Sequence, residues 1–237
     1  MRSDKICRTE QIQEMTSQVL DVCIVGGGIN GAATAACLSA HGFKVGLIEA
    51  NDFASITSQS SSNMIWGGIK YLENGEFSLV RNLCQSRNRL IKNYPANIPE
   101  TRFRVFMKKK QKTPSWMFRL GSWLYWFIGD CQTKKPKYFN QKQLQEMPCS
   151  DDFNGAVEYS DAILPENDAR LTFSFIRSTW ENGSLAVNYC KAQQLTKKEG
   201  LWHIEIEDKI SLKSQFIKAK ILINATGPNA VLFNQRQ

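Results

Sequence analysis

The sequence predicts an α/β fold, and three observations support this interpretation. Residues 20–49 have the pattern of a strand, a helix and a second strand. The turn after the first strand carries glycines in the spacing G-x-G-x-x-G, which is typical of a Rossmann-like dinucleotide-binding unit. After Gly183 the pattern changes to short strands. We therefore expect a dinucleotide-binding α/β unit in the first part of the chain and a part rich in short strands after Gly183.

The first unit follows from its residue types. Residues 20–25 (LDVCIV) are mostly apolar, as in a buried parallel strand. The alanine-rich residues 29–41 have high helix propensity, and Gly42 lies where a helix stop is expected. Residues 44–49 (KVGLIE) predict the second strand, which ends at Glu49.

Further elements are predicted along the rest of the chain. A hydroxyl-rich loop is expected over residues 52–68. Apolar spacings of three and four predict helices at residues 76–94, 116–128 and 167–182. Alternating or short apolar runs predict strands at residues 102–107, 185–189, 201–207, 214–217 and 220–224.

Composition restricts the class of protein. With 237 residues, of which 42% are apolar, the chain can bury a core of one large domain or slightly more. Its seven cysteines are scattered without a CxxC pair, which predicts reduced thiols and no metal site. Residues 1–19 lack the apolar run of a signal peptide, so a cytoplasmic location is expected. The formal charge of +8 predicts an anionic partner without identifying it.

The glycine spacing and Glu49 together predict how a dinucleotide binds. Gly26 permits the tight turn, Gly28 lets a pyrophosphate approach the backbone, and Gly31 lets helix and strand pack closely. The helix N-terminus then presents free N–H groups to the phosphates. Glu49, eighteen positions after Gly31, is expected to accept hydrogen bonds from the adenosine ribose.

The fingerprint does not distinguish NAD from FAD, and the following loop adds a second clue. Six hydroxyl residues crowd into eight positions between Ser55 and Ser62. They could bind a second phosphate or a flavin ribityl chain, and Gly67 with Gly68 would admit a flat ring close to the backbone. A solvated serine-rich loop is the alternative interpretation.

At this point the chain resembles the FAD-dependent glycerol-3-phosphate dehydrogenases, within the D-amino-acid-oxidase-like flavoproteins. The likeness begins in VGGGINGAATAACLSAHGFKVGLIEANDFASITSQSSSNMIWGGIKYLENGEFSLVRN and continues through SWMFRLG, VEYSDA, DARL, GLW and NATGP. The resemblance implies an FAD-binding domain interrupted by a β-rich substrate or cap region. Members of this family run to about twice this length, so the chain is expected to be an amino-terminal half, incomplete at its carboxyl end.

The resemblance also implies a division of the chain and a set of FAD-binding residues. The segments are an extension (1–19), the first part of the FAD-binding domain (20–95), an inserted basic and aromatic region (96–160), and the second part of the FAD-binding domain (161–237). By this resemblance, Gly26, Gly28, Gly31 and Glu49 bind the ADP half of FAD, and Ser58, Ser61 and Ser62 lie along the phosphates and the ribityl chain. Gly67 and Gly68 lie near the isoalloxazine, and the backbone near Ala192 contacts the adenine. Thr226 and Gly227 return to the cofactor near the end of the chain.

Hydride transfer to a flavin needs a proton acceptor and cations that hold an anionic substrate. The family usually has His where this sequence has Trp66, Lys where it has Asn63, and Arg where it has Lys70, whereas Tyr71 is retained. Lys70 and Tyr71 are therefore the candidate catalytic residues. A surface lysine and a packed tyrosine are the alternative.

Between Thr101 and Gln145 the chain has eleven Lys or Arg and a single carboxylate, that of Asp130. Trp116, Leu120, Trp123 and Phe127 share one helical stripe, which predicts either an interfacial membrane helix or a core helix with a solvated basic loop. The family resemblance favours peripheral membrane association and transfer of electrons to quinone.

The leading interpretation is a flavoenzyme of glycerol metabolism that oxidises a small anionic alcohol, as a monomer or homodimer. An oxidoreductase acting on an amino or hydroxy acid and a chain that has lost its chemistry are the alternatives. The basic charge also suggests an RNA-modifying flavoenzyme as a further alternative. No RNA-binding motif in the sequence supports nucleic acid as a partner.

Overall fold

The computed structural model describes residues 7–110, 113–145 and 153–235. The chain divides into two compact units, Met1–Ser61 with Asn167–Gln237, and Ser62–Glu166. The four functional segments expected from the sequence stay a prediction.

The elements are numbered in chain order. The helices are α1 (Arg8–Ser17), α2 (Ile29–Ala40), α3 (Phe77–Asn93), α4 (Ser115–Ile128), α5 (Gln141–Gln145), α6 (Asp168–Glu181) and α7 (Ala230–Asn234). The strands are β1 (Val19–Val25), β2 (Val45–Ile48), β3 (Met64–Ile65), β4 (Glu100–Lys108), β5 (Lys137–Asn140), β6 (Phe153–Ile163), β7 (Leu185–Val187), β8 (Cys190–Lys198), β9 (Leu201–Asp208) and β10 (Lys213–Asn224). Short 3-10 turns occur at Thr57–Gln59, Ile69–Asn74 and Gly227–Asn229.

The first unit contains a six-stranded sheet in the order β7-β2-β1-β10-β9-β8. Strands β7, β2, β1 and β10 run parallel, whereas β8, β9 and β10 form an antiparallel meander. This arrangement confirms the predicted Rossmann-like α/β fold. The carboxyl ends of β1, β2 and β10 meet at one edge of the sheet, which is where ligands bind in this class of fold.

Buried residues cover both faces of this sheet. On one face, Ala32 and Ala35 of α2 pack with Val22, Leu47 and Ile176. On the other face, Ile12 and Met15 of α1 pack with a larger set of apolar residues from β1, the meander and α7. Small side chains on α2 let this helix approach the sheet closely, which is the reason for its alanine-rich sequence.

The second unit is built on an antiparallel sheet around β6. Strand β4 pairs along one edge of β6, while β3 and β5 pair along its opposite edge. Helices α3 and α4 contribute Val80, Cys84 and Tyr125 to a small core with Tyr159 of β6.

Most of the predicted elements are present, but several were wrong or missed. The two strands expected at 214–217 and 220–224 are one strand, β10, because Ile217 and Ala219 are buried while Lys218 between them points to solvent and keeps the alternation. Helices α1, α5 and α7 and strands β3, β5, β6 and β8 were missed. The sequence of strand β8 is mostly polar because β8 is an edge strand. Its buried residues Ala192 and Leu195 lie among exposed or half-buried neighbours, so the sequence shows no clear apolar pattern. None of the described helices is both long and apolar enough to cross a membrane.

Candidate dinucleotide site

The three fingerprint glycines lie where β1 turns into α2, and two of them are required by the fold. Gly26 has φ of +114°, which favours glycine, and a Cβ there would lie 2.3 Å from the Ala225 carbonyl oxygen. A Cβ on Gly31 would lie 1.9 Å from the Gly26 carbonyl oxygen. The absence of side chains at these two positions therefore lets α2, β1 and the end of β10 come together.

Gly28 differs from these two glycines because its surroundings are open. It precedes the first residue of α2 in an extended conformation that any residue can adopt. A Cβ on Gly28 would meet only the Ser58 hydroxyl, at 3.3 Å. The Ser58 hydroxyl accepts a hydrogen bond of 3.0 Å from the Ile29 N–H. An oxygen thus already lies at the helix N-terminus, where a phosphate oxygen is expected.

Glu49 follows β2 and directs its carboxylate toward the glycine turn. One carboxylate oxygen accepts the Gly27 N–H at 2.7 Å and the other accepts the Asn51 N–H at 2.8 Å. Each oxygen keeps a further lone pair that can accept a ribose hydroxyl. Gly27 was not singled out from the sequence, although it is the middle glycine of a run of three; a Cβ there would lie 2.9 Å from that of Glu49.

The end of β10 forms the opposite wall of the site. The Asn224 amide oxygen accepts hydrogen bonds from the Thr226 N–H, at 3.1 Å, and from the Thr226 hydroxyl, at 2.7 Å. Its amide nitrogen donates to the Ala230 carbonyl oxygen and to the Asn234 side chain. Asn224 therefore fixes both Thr226 and helix α7. In the sequence analysis Asn224 appears only as part of the NATGP motif, and no role is predicted for it.

Two adjoining cavities of about 270 and 280 Å³ lie at this edge of the sheet. They share Gly26, Glu49, Ile56 and Thr226 as lining residues. The first also contains Gly28, Thr57 and Ser58 and the turn from Ala225 to Pro228. The second extends along Ala192 and helix α7.

The residues that line these cavities fit an ADP-containing cofactor. The first cavity offers backbone N–H groups and hydroxyls, and none of its described lining residues is cationic. A pyrophosphate would therefore be held by the helix N-terminus and by hydrogen bonds, as in other dinucleotide folds. The lining of the second includes Ala50, Ala192, Leu232 and Phe233, which suits a flat apolar base.

A family model described as FAD dependent oxidoreductase matches residues 21–237. The chain belongs to the FAD-dependent oxidoreductase family. FAD is therefore its cofactor.

Individual relatives agree with the family assignment. The glycerol-3-phosphate dehydrogenase of Pseudomonas aeruginosa is 36% identical over 220 residues, which are 92% of this chain and 42% of the relative. The D-erythritol 1-phosphate dehydrogenase of Brucella abortus is 32% identical over 214 residues, which are 89% of this chain and 42% of the relative. The chain thus spans about two fifths of the length of these curated relatives.

A solved structure shares the fold of this FAD-dependent oxidoreductase. The glycerol-3-phosphate dehydrogenase from Bacillus halodurans, complexed with FAD, superposes with a TM-score of 0.72 at 24% identity. The match covers 97% of this chain and 38% of that structure.

Several predicted site residues fall in or beside the second unit. Ser61 and Ser62 are exposed, and their role beside the ribityl chain stays a prediction. Gly67 and Gly68 are buried, and Gly68 has φ of +83°. Contact of these two glycines with the flavin also stays a prediction.

Lys70 and Tyr71 follow the double glycine in a 3-10 turn. Both side chains are exposed, Tyr71 by 36%. The Tyr71 ring lies 5.5 Å from the Trp66 ring, and the Trp66 side chain lies beside Tyr159. Burial raises the pKa of Tyr159 to about 12, so its hydroxyl stays protonated at neutral pH.

Sequence reasoning missed a buried polar cluster beneath Gly67. It consists of Arg87 from α3, Tyr125 from α4, and Asp161 from β6, which are 1%, 2% and 0% exposed. Asp161 lies in the VEYSDA motif, but nothing local to that motif reveals a partner 74 residues away. Burial raises the pKa of Tyr125, so this side chain remains a hydrogen-bond donor.

Proposed function

We propose that this FAD-dependent oxidoreductase oxidises a small phosphorylated alcohol, with glycerol 3-phosphate as the first candidate. The observation that carries the proposal is the similarity, over about nine tenths of the chain, to relatives named for glycerol 3-phosphate and D-erythritol 1-phosphate. Both names describe a polyol that carries a phosphate. The formal charge of +8 agrees with an anionic substrate.

The proposal assigns FAD to the residues predicted from the sequence. Gly26, Gly28, Gly31 and Glu49 hold the ADP half, with Thr226 and Gly227 on the opposite wall and Ala192 beside the adenine. Ser58, Ser61 and Ser62 follow the phosphates and ribityl chain, and Gly67 and Gly68 lie beside the ring. When bound, the flavin supplies the redox chemistry by accepting a hydride.

The candidate substrate residues are Lys70 and Tyr71. Lys70 supplies a cation for the phosphate but lacks the two-pronged hydrogen bonding of an arginine, so the grip on phosphate is looser than in relatives with arginine. Tyr71 supplies a hydroxyl. The indole of Trp66, where relatives usually have histidine, is a donor only and takes no proton from the substrate.

The test is anaerobic bleaching of the bound flavin by several substrates in parallel. Glycerol 3-phosphate is expected to bleach the flavin, and glycerol, lactate, 2-hydroxyglutarate and amino acids are expected to leave it yellow. Lys70→Ala should raise the concentration of glycerol 3-phosphate required by about tenfold or more, since a charged hydrogen bond contributes about 1.5–3 kcal/mol. Lys92→Ala, which removes a cation from helix α3, is the control and should bleach like the parent.

Bleaching by an amino or hydroxy acid alone would contradict the proposed substrate class and favour the corresponding oxidoreductases. Absence of bleaching by every compound, with FAD bound, would favour a chain that has lost its chemistry.

We also propose that the second unit binds the inner face of a membrane, where quinone is the electron acceptor. Helix α4 exposes Trp116, Leu120, Trp123 and Phe127 by 61%, 60%, 48% and 71%. Exposed apolar side chains of this size on one stripe are unusual for a surface that faces only water. Exposed lysines at 108–110 and 134–135 belong to the same unit. Lys112, another of the eleven cations between Thr101 and Gln145, lies outside the described residues.

The membrane proposal predicts that the protein sediments with vesicles containing anionic lipid. The substitutions Leu120→Ser with Trp123→Ser should reduce the bound fraction several-fold, because interfacial binding scales with buried apolar area. Trp126 is not a suitable target, since its indole N–H donates to the Thr133 carbonyl oxygen at 2.7 Å and is part of the fold.

The matched control is Ile210→Ser with Leu212→Ser, which removes two exposed apolar side chains from the turn between β9 and β10. Equal binding to neutral and anionic vesicles, unchanged by the α4 substitutions, would reject the membrane proposal.

A further inference from the structure

The segment that leads to Lys70 and Tyr71 is fixed to β6 residue by residue. Strand β3 pairs with the end of β6, with Met64 opposite Ile163 and Ile65 opposite Ala162. The Leu164 N–H donates to the Asn63 carbonyl oxygen at 2.8 Å. The backbone of this segment therefore has a defined register on β6 as far as residue 65.

Side chains of β6 continue this attachment over the next two residues. The Gly67 N–H donates to Asp161 Oδ1 at 3.2 Å, and the Trp66 side chain lies beside Tyr159. Tyr159 and Asp161 are two positions apart, so they lie on the same face of the strand. The segment is thus held on β6 up to the double glycine.

Asp161 is itself held by two buried donors. Its Oδ1 accepts Arg87 Nη1 at 2.5 Å and the Tyr125 hydroxyl at 2.6 Å. The remaining guanidinium nitrogens of Arg87 donate to Asn88, whose amide donates to the Gly129 carbonyl oxygen. This chain of bonds connects helices α3 and α4 to the carboxylate.

The Arg87–Asp161 pair makes a single contact between Nη1 and Oδ1. Arginine and carboxylate commonly pair through two parallel bonds. Here Arg87 Nη1, the Tyr125 hydroxyl and the Gly67 N–H all donate to Asp161 Oδ1. Asp161 Oδ2 is buried and has no hydrogen-bond partner among the described residues. The hydrogen bonds that Arg87 and Tyr125 make to Asp161 therefore go to the same oxygen that binds the first glycine of the pair.

Space as well as bonding restricts Gly67. A Cβ at this position would lie 2.0 Å from the Tyr125 hydroxyl oxygen and 2.8 Å from Arg87 Nη1. The 3-10 turn follows at once, with the Tyr71 N–H donating to the Gly68 carbonyl oxygen at 2.9 Å. A displacement of Gly67 would consequently move Lys70 and Tyr71.

We propose that Asp161, held by Arg87 and Tyr125, is a positioning residue that sets the place of Lys70 and Tyr71 through the Gly67 backbone. This inference rests on the proposed function, in which those two side chains face the substrate. Asp161 acts through Gly67 and is not itself a catalytic residue.

The test uses substitutions that change the contact between the cluster and Gly67. Gly67→Ala brings a methyl group against the Tyr125 hydroxyl and should displace the segment. Tyr125→Phe removes that hydroxyl, so the double variant Gly67→Ala with Tyr125→Phe should recover part of the original position. Tyr94→Phe, which changes a tyrosine that is 51% exposed, is the control.

The position of the segment is read from the 19F NMR resonance of 5-fluorotryptophan at Trp66, assigned with Trp66→Phe. Gly67→Ala is expected to shift this resonance and to lower kcat/KM for glycerol 3-phosphate at least about tenfold, since misplacement by 1 Å can cost about 100-fold. The double variant should move the resonance part of the way back and regain part of the lost kcat/KM. Tyr125→Phe alone should shift the resonance less, and it decides the matter if Gly67→Ala does not fold.

A Trp66 resonance that stays in place in Tyr125→Phe, or a double variant no closer to the parent than Gly67→Ala, would overturn the proposal. A fall in melting temperature without either change would assign the cluster to stability alone. The Trp66 resonance can be measured without flavin or substrate. If the proposed function is wrong, kcat/KM for glycerol 3-phosphate cannot be measured, but the resonance still tests the position of the segment.

Discussion

Gly28→Val is expected to reduce FAD affinity at least about 100-fold, or about 2.8 kcal/mol, without unfolding the protein. The backbone at Gly28 is extended, and a Cβ there meets only the Ser58 hydroxyl at 3.3 Å. The added side chain therefore needs only a shift of a few tenths of an ångström by the Ser58 hydroxyl, and it projects into the cleft at the α2 N-terminus. The added side chain therefore weakens binding of the pyrophosphate, because the pyrophosphate must approach the same N–H groups.

The measurement is titration with FAD, followed by its fluorescence, together with the flavin absorbance that remains after gel filtration. Glu49→Arg should weaken binding in the same assay, because it places a cation where the ribose hydroxyls need an acceptor. Two glycine substitutions serve as controls. Gly31→Ala should fail through the fold, since its Cβ would lie 1.9 Å from the Gly26 carbonyl oxygen. Gly121→Ala, with open space around it inside α4, should bind FAD normally and gain about 0.5–1 kcal/mol in stability.

If Gly28→Val and Glu49→Arg both purify with stoichiometric yellow flavin, the cofactor site is misassigned.

The nucleotide site could be predicted from the sequence because its parts are local. Gly26, Gly28, Gly31 and Glu49 lie within 24 consecutive residues, and each residue type has a direct geometric reason. The strand and helix of this unit also carry strong apolar and alanine patterns, so their bounds agree with the structure within one or two residues. Distant wall residues such as Thr226 were reached only through the family resemblance.

The buried cluster of the second unit could not be predicted, because its members come from separate elements. Arg87 looks like a solvent-facing residue of an amphipathic helix, and its burial depends on Asp161, which is 74 positions away. Strand β6 was missed because Asn154, Gly155 and Asp161 interrupt the apolar pattern that predicts strands. Such pairings are set by the packing of α3, α4 and β6, which no local pattern records.

The same cluster predicts a large loss of stability when one partner of its ion pair is removed. Arg87→Met should lower the free energy of unfolding by about 3–5 kcal/mol, because it leaves the Asp161 carboxylate buried with an incomplete set of donors. Asp161→Leu should have a comparable effect, since it leaves the Arg87 guanidinium buried. The free energies are obtained from urea unfolding followed by circular dichroism, provided that the denaturant slope is unchanged.

The double variant Arg87→Met with Asp161→Leu is expected to lose clearly less than the sum of the single losses, because both charges leave the interior together. It should not recover fully, since the Tyr125 hydroxyl and the Gly67 N–H lose their shared acceptor. The control is Arg177→Met, which removes an exposed pair with Glu181, 61% and 67% exposed, and should cost less than about 1 kcal/mol. Additive losses in the double variant, or a loss in Arg87→Met no larger than in Arg177→Met, would show that the Arg87–Asp161 pair is not coupled in the folded protein.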